Sequence, residues 1–71
     1  MKLIQETYRN KKLVSKRIAY KDTPEKVIKH LDNLHEFIKN EGLEVESYSK
    51  SWMKMSYTEW WGSFVLLYVT A

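Results

Sequence analysis

The sequence predicts an α+β fold of ββαββ order, a four-stranded, mostly antiparallel sheet with one helix packed on one face. Three observations predict it. A stripe of apolar residues at helical spacing lies between Thr23-Pro24 and Gly42, period-two patterning flanks it on both sides, and the closing segment 64–70 is apolar on two sides. At 71 residues the chain is one small domain, made of a basic hairpin (1–21), a helix (23–42) and an aromatic-rich hairpin (43–71).

The first hairpin comes from segments 3–8 and 13–20, both rich in β-branched, aliphatic and aromatic residues, with Arg9, Asn10, Lys11 and Lys12 as the turn between them. In the helix, Thr23 reads as the N-cap, its hydroxyl accepting an orphan backbone N–H, and Pro24 as the first helical residue, where a missing N–H is harmless. Glu25 suits the positive end of the helix dipole. Val27, Leu31, Leu34 and Ile38 then form one stripe, widened by Ile28 and Phe37. Gly42 is placed to end the helix in the left-handed conformation, with Leu43 touching Ile38 in a Schellman cap.

After the helix, segments 43–48 and 52–57 read either as one long bent strand or as two short ones separated by Ser49, Lys50 and Ser51. Residues 58–63 read as a turn and 64–70 as the last strand, expected at the centre of a 1-2-4-3 order. That strand is unusual, because Phe64, Leu66 and Tyr68 on one side are matched by Val65, Leu67 and Val69 on the other. One helix covers one face. Leaving Val65, Leu67 and Val69 in water would forfeit about 1.5 to 3 kcal/mol for each side chain, so these three residues are expected to be covered by a second polypeptide, most simply another copy of the chain.

Composition narrows the function classes. With 44 % hydrophobic residues the chain should fold, and with no cysteine it has neither disulfides nor thiolate metal sites. The first residues lack the apolar core of a signal peptide, and the longest apolar run, residues 64–69, is far short of the roughly 20 residues of a membrane span. A soluble, cytoplasmic protein without a membrane role is the expectation. His30 and His35 are five apart and cannot pinch one metal ion, while Asp32, His35 and Glu36 share a face that reads as a solvated flank. The serines occupy no nucleophile elbow, two glycines make no phosphate loop, and a sheet this small leaves little volume for an enclosed pocket. The chain is therefore read as a non-enzyme with no cofactor, metal or small-molecule substrate.

Charge and aromatics point to binding. Residues 1–21 carry a net charge of +6 and the remaining 50 a net −3, so Arg9, Lys11, Lys12, Lys16 and Arg17 form a basic patch able to steer an acidic protein or contact nucleic acid. Seven of the ten aromatics lie in the last 24 residues, and Trp52, Tyr57, Trp60 and Trp61 are the candidate anchors for a protein partner, with Trp60 and Trp61 reading equally as caps on the ends of a small core near Gly62. In size and layout alone, the chain resembles the small inhibitors and regulators carried by phages and other mobile elements, which implies a binding or inhibitory role and assigns no residue. The primary reading is a small homodimeric interaction protein that binds or inhibits an unidentified protein through its sheet face and aromatic hairpin. The alternative is a nucleic-acid-binding protein that combines the basic hairpin with sheet aromatics.

Overall fold

The computed structural model describes residues 1–39, 41, 43–57 and 62–71, with the backbone alone for residue 43. Among these residues the chain forms β1 (Lys2–Arg9), β2 (Lys12–Lys21), α1 (Pro24–Ile38), β3 (Leu43–Tyr48), β4 (Trp52–Tyr57) and β5 (Phe64–Thr70). The α+β class therefore holds, with five antiparallel strands in place of four. Segment 43–57 is two strands because Ser49–Ser51 reverse the chain: the Ser49 amide donates to the Trp52 carbonyl at 2.8 Å, and the Ser51 amide to the Ser49 hydroxyl at 3.3 Å.

The strand order is β2-β1-β5-β4-β3. The last strand is central, as expected, but its neighbour is β1 rather than β2, which corrects the 1-2-4-3 order. The reason lies in side-chain chemistry. Leu3 and Ile4 bury on opposite faces of β1, whereas β2 carries Lys12, Lys16, Arg17 and Lys21 and leaves Leu13, Val14 and Ile18 exposed. A lysine-rich strand suits an edge, where charge discourages pairing with a further strand.

The turn of the first hairpin is two residues long. Asn10 and Lys11 both adopt positive φ, 50° and 66°, the geometry that matches the twist of two antiparallel strands. The Lys11 amide donates to the Gly62 carbonyl at 2.9 Å, tying this turn to the start of β5. Gly62 has φ +77°, and a Cβ there would lie 3.3 Å from the Asn10 Cα, so both conformation and space call for glycine.

The helix begins where expected, with Thr23 extended before Pro24 and the Val27 amide donating to the Thr23 carbonyl at 3.0 Å. The cap itself differs. Among the described residues the Thr23 hydroxyl makes no capping bond; the Asp22 carboxylate accepts the Thr23 amide at 2.8 Å and the Tyr20 hydroxyl at 3.0 Å. α1 ends at Ile38, short of the expected 23–42 span, since Ile38 is the last stripe residue with a buried place to occupy. Phe37 is 61 % exposed and does not widen the stripe. The expected Gly42–Leu43 cap lies outside the described residues.

The core assembles from Val27, Leu31 and Ile38 of α1 with Leu3 of β1, Met53 and Met55 of β4, and Val65 and Leu67 of β5. Val69 packs against its edge. Val65, Leu67 and Val69 are therefore the residues that the chain's own helix covers, which corrects their assignment to a face covered by a second polypeptide. The β5 side chains on the other side, which α1 does not cover, are Phe64, Leu66 and Tyr68, all half-buried.

Candidate interaction surface

Register determines which side chains share the face opposite α1. Ile4 pairs with Tyr68, Glu6 with Leu66 and Tyr8 with Phe64 between β1 and β5. On the far side of β5, Trp52 pairs with Tyr68, Lys54 with Leu66 and Ser56 with Phe64. β2 adds Ile18 opposite Ile4, Lys16 opposite Glu6 and Leu13 opposite Tyr8. Since paired residues point the same way, these side chains line one surface. Ile4 is 8 % exposed on it and is not a member of the helix-side core, while Leu13, Ile18 and Trp52 are 51 %, 52 % and 40 % exposed. Among the described residues no helix covers this side.

The aromatic rings on this face are held by internal contacts. Tyr8 stacks on Phe64 with centroids 4.5 Å apart and an interplanar angle of 15°. From the opposite neighbour strand, the Lys54 ammonium sits 4.6 Å from the Phe64 centroid. Phe64 is thus flanked by Tyr8 from β1 and Lys54 from β4. Lys54 also pairs with Glu46 at 3.1 Å, and the Ser56 hydroxyl donates to Glu46 at 2.5 Å. These bonds, the Ser56 hydroxyl first and Lys54 second, hold the Glu46 carboxyl below its ordinary pKa.

Glu6 occupies the middle. Its carboxylate accepts the hydroxyl protons of Tyr68 and of Tyr8, the latter at 2.6 Å, and lies 4.0 Å from the Lys16 ammonium. The Tyr68 bond, then the Tyr8 bond, and then the Lys16 charge lower its pKa, so Glu6 is ionised at neutral pH. The same bonds push the Tyr8 and Tyr68 hydroxyls up. The face is therefore apolar and aromatic, with fixed charges of both signs.

The basic residues expected to act as one patch are divided. Lys16 shares the open face with Glu6, whereas Arg17 pairs with Gln5 on the helix side and donates to the Gln5 side-chain carbonyl at 2.9 Å. Arg9, Lys11 and Lys12 lie at the hairpin turn. Of the expected anchors, Trp52 lies on the open face, but Tyr57 packs against the core on the other side. Trp60 and Trp61 lie outside the described residues. The sequence reading missed Glu6, Tyr8 and Lys54, although the period-two run Ile4, Glu6, Tyr8 was a usable signal.

The histidines of α1 are packed against tyrosine rings of the sheet. His35 stacks on Tyr48 with centroids 3.8 Å apart, His30 stacks on Tyr20 at 4.2 Å, and the Tyr48 hydroxyl donates to Asp32. That bond, with burial and the Asp32 charge behind it, pushes the Tyr48 pKa up to about 12. Among the described residues no three His, Cys, Asp or Glu side chains are grouped to hold a metal ion, and no helix is long and apolar enough to cross a membrane. No protein-family model matches the chain, and no curated protein or solved structure is significantly similar to it.

Proposed function

We propose that this chain is a small, non-catalytic interaction protein that works as a homodimer, two copies meeting through the sheet face that carries Tyr8, Phe64, Leu66 and Tyr68. The observation behind this reading is the row of aromatic and aliphatic side chains left without a helix, extended on either side by exposed Leu13, Ile18 and Trp52. Each large apolar side chain removed from water is worth about 1.5 to 3 kcal/mol. A chain this short has little core of its own and gains much from sharing one.

The charge pattern favours a second copy over a partner of one sign. Glu6 and Glu46 share the face with Lys16 and Lys54, so a two-fold axis can set the lysines of one copy against the glutamates of the other. The hairpin turn with Arg9, Lys11 and Lys12 is then a rim element that attracts an acidic protein for the dimer to bind or inhibit. Nucleic acid draws less support, because base stacking needs free ring faces and Phe64 has Tyr8 and Lys54 as neighbours on its two flanks.

Light scattering behind gel filtration at tens of micromolar tests the reading. The wild-type chain should elute as a dimer and Leu66→Glu as a folded monomer with unchanged circular dichroism. A wild-type chain that stays monomeric to about 100 μM would overturn it.

A further inference from the structure

The helix-covered side of the sheet contains a cleft. α1 packs most closely on β3, at the edge far from β2, and a half-open space of about 300 Å³ remains between the helix and the β1–β2 side of the sheet. Met55, Val65 and Leu67 form its floor, Leu34 and His30 its helical wall, and Arg17 its outer rim. The expectation was of little volume for an enclosed pocket; this cleft is open to solvent, and it exists because one helix is narrower than five strands.

We propose that this cleft binds a small apolar monocarboxylate, the hydrocarbon lying on Met55, Val65 and Leu67 and the carboxylate meeting the Arg17 guanidinium. The lining chooses the sign of the head group. Among the described residues no carboxylate lines the cleft or pairs with Arg17, so the guanidinium is uncompensated there. Its bond from Nη2 to the Gln5 carbonyl, 2.9 Å, orients the fork from one side and, among the described residues, leaves Nε and Nη1 as donors, an arrangement suited to a planar carboxylate. The opposite wall is held in place because the His30 ring lies flat on Tyr20, 11° from parallel. Over the apolar floor water finds no side-chain hydrogen-bond partner in Met55, Val65 or Leu67, and a hydrocarbon chain displaces it favourably there. This site lies on the other side of the sheet from the proposed dimer face and stands independently of it.

Octanoate, octanol and octylammonium are the probes, each titrated into the isotopically labelled full chain and followed by NMR. Octanoate should bind saturably, with intermolecular NOEs to the Leu34, Met55 and Leu67 methyl groups, and more tightly than the other two. Each methylene should tighten binding about fourfold, so octanoate should exceed hexanoate by on the order of tenfold. Arg17→Gln, an exposed substitution, should weaken octanoate about tenfold and abolish its advantage over octanol. The proposal is overturned by any of three results: no saturable binding up to about 10 mM, NOEs to Leu66, Ile18 and Leu13 of the opposite face instead, or equal affinity for the three head groups.

Discussion

The Tyr68 hydroxyl donates a hydrogen bond to the Glu6 carboxylate, joining β5 to β1 across 62 residues of sequence. Tyr8 donates to the same carboxylate from two residues along β1. A charge in the middle of a largely apolar face would be costly without partners, and here two hydroxyl donors and Lys16 supply them. The bonds also clamp two neighbouring strands at the centre of the sheet.

Acid sensitivity follows from this clamp. The hydrogen bonds favour ionised Glu6 in the folded chain, so its folded pKa lies below the ordinary value of 4.5. The stability it contributes is present above that value and lost as pH falls through the lowered one. Urea midpoints measured from neutral pH into this acid range should fall more steeply for the wild-type chain than for Glu6→Gln. Parallel profiles would remove Glu6 from the account.

Tyr48 sets an alkaline counterpart. Its pKa is raised from 10.0 to about 12 by its hydrogen bond to Asp32, so the stability it contributes is complete below the unfolded value of 10.0 and lost as pH rises through about 12. Tyr48→Phe should remove the highest-pH step from an ultraviolet titration of the tyrosines. At neutral pH it should cost about 1 kcal/mol in urea denaturation.

Adjacent residues of β5 should behave differently. Leu67 is 4 % exposed beneath α1, and Leu67→Ala should destabilise the chain by about 2 to 5 kcal/mol through lost burial and a residual cavity. Leu66 points the other way, and Leu66→Ala should cost less than half as much when measured dilute enough to keep the chain monomeric. Equal losses would contradict the assignment of faces.

Gly62 should resist substitution. Gly62→Ala places a side chain at φ +77° and 3.3 Å from the Asn10 backbone, and should cost about 1 to 2 kcal/mol in thermal or urea unfolding. Hydrogen exchange should quicken at the Lys11 amide, which loses its aligned partner.

Much of the architecture was legible in local pattern. The spacing of Val27, Leu31, Leu34 and Ile38 marks the helix, Pro24 its start, and period-two runs the strands. Met53 and Met55 carry the same alternation and lie in the core, but methionine is a weak marker of either period. The reversal at Ser49–Ser51 depended on serine hydroxyl and backbone bonds whose signal is faint in a run of polar residues.

Sequence by itself established that β5 is apolar on both sides and that the N-terminal hairpin concentrates positive charge. Only the tertiary structure decided that Val65 and Leu67 meet the helix while Phe64, Leu66 and Tyr68 do not, and that β1 rather than β2 lies beside β5. The reason is that periodicity is a property of neighbours in the chain, whereas a strand's facing depends on register with partners tens of residues away. In a strand with two apolar sides, that register alone tells one side from the other.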